Sequence, residues 1–233
     1  MKNYNRIALL IDGDNAQSKF IKQYIAEVSK FGKVTVKRVY ADWTKNTMNG
    51  WKKVLEQNAV RAMQKFAYTN GKNSTDIALI IDAMDLIHSG KIEGVCIVSS
   101  DSDFTGIAHR IREEGMFIMG IGNNQTPESF RNACEKFVFT DVFDNENSVK
   151  RSKKIIDFTL IDEAFNLVVN ENTGLALLSR FSEALRKLDS SFDHRIFGFK
   201  NFKDFCDGLK PKYELVLGKD NQTYSIRSLT NNI

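Results

Sequence analysis

The sequence predicts an α/β fold in which a parallel sheet is flanked by helices, followed by a small winged-helix-like domain. Two observations lead to this fold class. Over the first part of the chain, short apolar runs alternate with amphipathic helical segments, which is typical of a parallel sheet covered on both faces. After residue 141 this alternation gives way to three helical segments and a hairpin, which is a winged-helix-like arrangement.

In the first half, short β-branched runs predict the strands, and apolar residues spaced three and four positions apart predict the helices. The predicted strands are Arg6–Ile11, Val34–Tyr40, Phe66–Tyr68, Val95–Ser99 and Met116–Ile121, and a last helix leads into Lys136–Phe139. The predicted helices cover residues 20–31, 51–63, 75–88, 103–114 and 128–134.

The change of pattern predicts two domains joined by a basic linker. The expected bounds are 1–143 for the first domain, 144–154 for the linker and 155–233 for the second domain. The linker is polar and ends in a run of basic residues, as is common in solvated connections. In the second domain we expect helices at Ile155–Val169, Leu177–Leu188 and Asn201–Leu209, and hairpin strands at Tyr213–Leu217 and Thr223–Arg227.

Composition and charge exclude several classes of protein. No apolar run approaches the roughly 18 residues of a membrane span, and the first residues lack a signal-peptide pattern. The three cysteines are widely spaced without a Cys-x-x-Cys pair, which argues against a disulfide framework and favours a reducing compartment. The net charge of +4 does not indicate a simple basic DNA-binding protein. We therefore expect a cytoplasmic protein without a membrane partner.

Acidic residues follow two predicted strands and open one predicted helix. Asp12 follows the first strand, Asp101 follows the strand at Val95–Ser99, and Asp76 opens the third helix. Ligands of open parallel sheets bind beyond the carboxyl ends of the strands, so these carboxylates meet in one cleft if the two strands are neighbours. Close carboxylates repel one another unless a cation holds them. An all-oxygen set without Cys or His suits Mg²⁺ or Mn²⁺, and the pattern indicates metal-assisted hydrolysis of a phosphodiester.

Each of these acids also has an ordinary structural explanation. Asp12-Gly13 is a common strand-exit turn, and Asp76 suits the first turn of a helix because of the helix dipole. Asp101 or Asp103 would serve as the N-cap of the next helix. The metal interpretation depends on the acids occurring together at the edge of one sheet.

Six short motifs follow one another along the first domain. They are Leu10-Ile11-Asp12-Gly13-Asp14-Asn15, Tyr40-Ala41-Asp42-Trp43, Lys72-Asn73-Ser74-Thr75-Asp76-Ile77-Ala78-Leu79, Asp82-Ala83-Met84-Asp85, Val98-Ser99-Ser100-Asp101-Ser102-Asp103-Phe104 and Arg112-Glu113-Glu114-Gly115. In this order they resemble the NYN domain of the LabA-like type over about residues 5–141. The resemblance implies a PIN-like, Rossmannoid nuclease fold whose acids bind Mg²⁺ or Mn²⁺ and which cleaves RNA.

The resemblance also implies roles for individual residues. By position, Asp12, Asp76 and Asp101 look like the metal carboxylates of the family. Asn15 and Asp103 look like supporting catalytic groups around the metal and its water. One departure is the serine that precedes Asp101, where the family usually has glycine; a serine still permits the turn.

In the second domain, the segment Phe197-Gly198-Phe199-Lys200-Asn201-Phe202 precedes the last predicted helix. Together with Leu177-Leu178-Ser179 and the closing strands, it resembles an OST-HTH (LOTUS) domain over about residues 155–228. This resemblance implies a module that binds RNA or a protein partner.

Five residues outside the acid group are candidates for contacts with nucleic acid. They are Trp43, Lys72, Arg195, Lys200 and Lys203. An aromatic ring near a site can stack on a base, and basic side chains can follow a phosphate backbone. Packing of the ring and solvation of the basic side chains are the ordinary explanations, so these assignments stay open at this point.

We expect a Mg²⁺- or Mn²⁺-dependent ribonuclease acting on single-stranded or structured RNA, with endonucleolytic cleavage favoured over exonucleolytic cleavage. The second domain would select RNA or bind a protein partner, and a homodimer is left open. The alternative is a non-catalytic RNA-binding or scaffold protein with the same fold. A lesser alternative is a haloacid-dehalogenase-type phosphatase with Asp12 as nucleophile and Asp14 as acid/base. Its motif continues with Thr where this chain has Ala16.

Overall fold

The computed structural model describes residues 4–64, 74–144 and 155–229. The chain divides into two compact units, Met1–Glu146 and Asn147–Ile233. We call them the first unit and the second unit. The predicted strand at Phe66–Tyr68, Lys72 and the basic run of the linker lie outside the described residues.

The first unit is built on a six-stranded sheet in which every described pair of neighbouring strands is parallel. The strands are β1 (Tyr4–Asp12), β2 (Gly32–Ala41), β3 (Arg61–Gln64), β4 (Gly94–Val98), β5 (Phe117–Gly122) and β6 (Lys136–Phe139). All residues of β4 and β5 are buried, because helices cover both faces of the sheet centre.

Five helices connect these strands and pack against the sheet. They are α1 (Ile21–Ser29), α2 (Asn49–Gln57), α3 (Ser74–His88), α4 (Thr105–Glu113) and α5 (Glu128–Ala133). Each has an apolar face, such as Ile107, Ala108 and Ile111 on α4, which are buried. Burial of that face stabilises each helix in place.

The strand order places the site. The order is β3-β2-β1-β4-β5-β6, so the chain builds one side of the sheet outward from β1 and then returns to build the other side from β4. Leu10 pairs with Ile97 and Ile11 with Val98 across this boundary. A crevice forms where the order reverses, beyond the carboxyl ends of the two strands. The first strand and the strand before Asp101 are therefore neighbours, which is the condition on which a shared cleft for their acids depends.

One predicted helix was too long. The spacing of Ala62 and Met63 continues the apolar pattern of α2, but the helix ends at Gln57 and Ala59 takes a positive φ of 50°. Ala62 and Met63 instead belong to β3, where they pair with Val39 and Tyr40 of β2. A short apolar run fits the spacing of a helix and the alternation of a strand equally well. The positive φ of Ala59 ends the helix, so the residues after it form a strand.

The second unit contains three helices and a small antiparallel sheet of order β7-β9-β8. The helices are α6 (Phe158–Asn166), α7 (Leu178–Leu188) and α8 (Phe202–Asp207), and the strands are β7 (Leu175–Leu177), β8 (Tyr213–Leu217) and β9 (Tyr224–Ser228). The three expected helices and the hairpin are present, while β7 ends at Leu177, where we predicted the start of the second helix. Phe181, Phe197 and Phe205 belong to the buried core of this unit.

Within the described residues, no helix is both long enough and apolar enough to cross a bilayer.

Candidate metal centre

Asp12 is the last residue of β1 and lies almost completely inside the protein, with 1% of its surface exposed. The Asn15 Nδ2 donates a hydrogen bond to the Asp12 Oδ2 at 2.6 Å, and the backbone N–H of Asp14 donates to the Oδ1 at 3.2 Å. Burial raises the pKa of Asp12, and the hydrogen bonds from Asn15 and Ser99 oppose that rise. The carboxylate is therefore held in one orientation at the bottom of the crevice.

Ser99 joins Asp12 to the loop that follows β4. Its hydroxyl donates to the Asp12 Oδ2 at 2.9 Å and accepts a hydrogen bond from the backbone N–H of Asp101 at 3.1 Å. Ser99 is 2% exposed, so both bonds are shielded from water. Sequence reasoning did not single out this residue. The only signal was a small polar side chain directly before the Ser100-Asp101 turn.

Asp76, Asp101 and Asp103 form the acid group of the site. Each offers one carboxylate oxygen, and these oxygens all lie within 4.8 Å of one another. Asp76 comes from the first turn of α3, and Asp101 and Asp103 come from the loop after β4. Asp76 and Asp101 are partly buried, whereas Asp103 is exposed. The described residues thus bring together three carboxylates from two separate segments.

The acids of the crevice affect one another electrostatically. The pKa of Asp76 is raised from 3.8 to about 6, first by burial and then by the negative charges of Asp12, Asp101, Asp103 and Asp14. A carboxylate in such surroundings favours either a proton or a cation. The neighbouring carboxylates thus add an unfavourable potential to the larger effect of burial.

The donor set fits a hard divalent cation. Asp76, Asp101 and Asp103 present oxygen ligands at separations that a single ion can bridge, and a cation relieves the repulsion that raises the Asp76 pKa. Carboxylate oxygens without nitrogen or sulfur ligands are the choice of Mg²⁺ and Mn²⁺. Asp12 lies behind this group and contributes its charge. The chemistry of the site therefore agrees with the metals expected from the sequence, without distinguishing between them.

The close group contains Asp103, and Asp12 acts on Asp76 through its charge. The expected ligand role of Asp12 and the expected supporting role of Asp103 stay predictions. The N-cap explanation also holds in part, because the Asp101 Oδ1 accepts from the Asp103 backbone N–H at 2.9 Å. Asn15 contacts Asp12, and its expected role around the metal and its water stays a prediction.

A second charged cluster holds α3 against the sheet. Arg38 and Tyr40 of β2 both donate hydrogen bonds to the carboxylate of Asp82. The pKa of Tyr40 is raised, first by its burial and then by the Asp82 carboxylate. The Asp82 side chain is 19% exposed and is bonded to β2, so it does not lie on a solvated face of the helix. Asp82 lies six residues after Asp76, so the cluster fixes the helix that carries the metal-site acid.

The candidate nucleic-acid contacts fall in three different settings. Trp43 follows β2 and is partly buried, and its indole N–H donates to the Met63 carbonyl at 3.0 Å. In the second unit, Arg195 pairs with Asp193 at 2.6 Å, and the Lys203 Nζ lies 4.1 Å from the centre of the Tyr224 ring. Lys200 is exposed. Lys72 lies outside the described residues.

The fold and the site together define a class of protein. It is a parallel α/β domain with clustered acids at the switch point of its sheet, the place where such sheets bind their ligands. Residues 6–141 match the NYN domain, which is more than half of the chain. This chain belongs to the NYN domain family, and with it to the PIN-like nuclease superfamily.

Individual relatives add little to this assignment. An uncharacterised protein of Methanocaldococcus jannaschii is 28% identical over 127 residues, which are 52% of this chain. The matched region spans about half, 49%, of the length of that curated relative. A crystal structure of a Vibrio parahaemolyticus protein of unknown function has a TM-score of 0.49 at 18% identity, covering 59% of this chain and 93% of that one. At this TM-score the likeness contributes nothing further to the fold assignment.

Proposed function

We propose that the protein is a divalent-metal-dependent ribonuclease whose reaction centre is the acid group of the first unit. The observation that carries this proposal is the convergence of Asp76, Asp101 and Asp103 within 4.8 Å at the switch point of an NYN domain. NYN domains are generally nucleases, and RNA phosphodiesters are the substrate that we propose for this chain.

Some side chains of the site would bind the metal ion, and others orient a carboxylate. Asp76, Asp101 and Asp103 would hold Mg²⁺ or Mn²⁺, which when bound supplies Lewis-acid stabilisation of the phosphoryl oxygens and a more acidic water. Asp12 adds negative charge behind the group. Asn15 and Ser99 orient Asp12 through their hydrogen bonds of 2.6 and 2.9 Å, so the charge pattern is set before substrate arrives.

The second unit is proposed as the module that selects the substrate. Its resemblance to OST-HTH (LOTUS) domains supports binding to RNA or to a protein partner. The exposed Lys200 and Lys203 remain the candidates for RNA in this unit. Arg195 is the weaker candidate, because Asp193 already occupies its guanidinium at 2.6 and 2.9 Å.

The proposal is tested with labelled RNA and the full chain. Cleavage should require Mn²⁺ or Mg²⁺, should cease in EDTA, and should fall by at least about a hundredfold in Asp101→Asn. Asp207→Asn, an exposed acid of α8, is the matched control and should cleave normally. Equal activity of Asp101→Asn and wild type would refute the site, and cutting of a circular RNA would establish endonucleolytic action.

The non-catalytic alternative makes a different prediction. An RNA-binding or scaffold protein would bind the same RNA with all metals tested and leave it intact. The phosphatase alternative needs Asp12 as an accessible nucleophile, but that carboxylate is 1% exposed and fixed by Asn15 and Ser99. The burial of Asp12 therefore favours the nuclease over the phosphatase.

A further inference from the structure

The loop after β2 lies at the same edge of the sheet as the acid group. We call residues 42–48 the β2 loop. Asp42 is buried, and its Oδ1 accepts hydrogen bonds from the Thr44 backbone N–H at 3.1 Å and from the Gln64 Nε2 at 3.2 Å. Met48 at the other end is buried as well. The loop is therefore anchored at both ends, and the residues between them have a defined position.

Lys45 extends from the β2 loop toward the acids. Its Nζ lies 3.6 Å from the Asp14 Oδ1, and the two side chains are 49% and 33% exposed. The backbone N–H of Asp14 donates a hydrogen bond to the Asp12 carboxylate. Lys45 therefore places a positive charge next to a residue that contacts the buried acid of the crevice. An exposed ion pair at this separation contributes little stability and is readily exchanged for another anion.

Trp43 lies two residues earlier on the same loop. Its backbone N–H donates to the Gln64 Oε1 at 3.1 Å, and its indole N–H donates to the Met63 carbonyl at 3.0 Å. The ring is fixed by these bonds while part of its surface stays open. A fixed aromatic surface next to a lysine is the combination with which proteins bind single-stranded nucleic acid, by stacking and by phosphate contact.

We propose that Lys45 is a substrate-binding residue that leaves Asp14 for a phosphate flanking the scissile bond, while Trp43 stacks on a neighbouring base. This inference rests on the proposed ribonuclease function and specifies its substrate as single-stranded RNA. A lysine suits the role because its compact charge and flexible stem can follow a phosphate that moves as the strand settles. The negative crevice alone would repel RNA, and Lys45 reduces that repulsion at the point of entry.

The test separates binding from cleavage. A fluorescein-labelled 12-nucleotide single-stranded RNA is titrated with the full chain in Ca²⁺, and the dissociation constant is measured by anisotropy at several salt concentrations. Lys45→Ala should weaken binding about fivefold at low salt and should reduce the slope of log K against log salt by about 0.7, the value for one phosphate contact. Lys45→Arg, which keeps the charge, should restore the slope.

Lys91→Ala is the matched control. Lys91 is exposed in the segment that leads into β4, at the opposite edge of the sheet. Its substitution by alanine therefore removes the same charge as Lys45→Ala, but at a distance from the site. In Mn²⁺, Lys45→Ala should raise KM for the RNA with little change in kcat.

The two proposals fail in different ways. If Lys45→Ala and Lys91→Ala have the same salt slope, the Lys45 assignment is overturned and the ribonuclease proposal is unaffected. If the wild type binds RNA with the expected Lys45 dependence but never cleaves it in Mn²⁺ or Mg²⁺, the function is wrong and the Lys45 contact stands. Lys45→Gln and circular dichroism of each variant show that a lost slope does not come from unfolding.

Discussion

A buried acid of the second unit faces a cation, whereas three acids of the first unit face one another. Asp193 is 8% exposed and is held by the guanidinium of Arg195 at 2.6 Å. Asp76, Asp101 and Asp103 instead converge within 4.8 Å. The charge of Asp193 thus helps to hold its own unit together. The first unit keeps unfavourable charge in place, and such local conflict is characteristic of functional sites.

The strongest test of this contrast is Asp76→Asn. We expect it to lower the affinity for Mn²⁺ by at least about a hundredfold, because a ligand is lost from a site of three acids. In the metal-free protein at pH 7 it should raise the stability of the first unit by about 1 kcal/mol, after allowing for solvent screening. Isothermal titration calorimetry measures the first effect and hydrogen exchange of β1 and β4 the second. A variant that binds Mn²⁺ normally would contradict the role of Asp76.

Metal binding should stabilise one unit only. At a Mn²⁺ concentration of 100 times the dissociation constant, linkage predicts about 2.7 kcal/mol of added stability. Hydrogen exchange resolved by segment should show this gain in β1, β4 and β5 and no change in α6 or β9. The gain should be smaller at pH 5, because Asp76 must release a proton to bind metal. Equal protection of both units would place a metal site elsewhere.

The reverse experiment breaks a paired acid of the second unit. Asp193→Asn removes the charge that Arg195 meets and should destabilise that unit by about 2 kcal/mol, since a buried charge-assisted bond is lost. Its Mn²⁺ affinity should equal that of the wild type. Denaturant unfolding followed by segment-resolved hydrogen exchange measures the loss. An unchanged second unit would show that its ion pairs do not hold the structure.

The smallest effect expected is that of pH on the metal-free protein. The folded pKa of Asp76 is about 6 and lies above its ordinary value of 3.8, so the native state binds the proton more tightly than the unfolded state. The corresponding stability is fully present below pH 3.8 and is lost as the pH rises through 6. Between pH 7 and pH 5 we expect a gain of about 1 kcal/mol after allowing for screening. Thermal unfolding of Asp76→Asn should lack this component, and an identical pH profile would refute it.

Local periodicity was sufficient for most of the fold. Alternating strands and helices in the first unit follow from apolar spacing, whereas the adjacency of β1 and β4 is seen only in the structure. The extent of α2 could not be predicted, because Ala62 and Met63 fit a helix and a strand equally well. The backbone reversal at Ala59 that separates them has no glycine to mark it.

Strand and helix ends predict where the candidate acids lie, but they do not predict the side-chain geometry. Strand ends bring Asp12 and Asp101 to one edge, but the distances between carboxylate oxygens depend on how deeply each side chain is buried. Asp12 is the last residue of its strand and lies buried, whereas Asp103 is exposed in the loop after β4. Contacts such as Ser99 to Asp12 join residues 87 positions apart, and no spacing along the chain reveals them.

The bond from Arg38 and Tyr40 to Asp82 has a consequence for how this sequence can vary. Asp76 and Asp82 belong to the same helix but differ in role. In the proposed function Asp76 binds the metal ion, whereas Asp82 accepts hydrogen bonds from Arg38 and Tyr40. A neutral residue at Arg38 would free Asp82 and loosen α3, and metal affinity would fall although no ligand had changed. Substitution of Arg38 in β2 is therefore constrained by the role of Asp76, which lies in the first turn of α3.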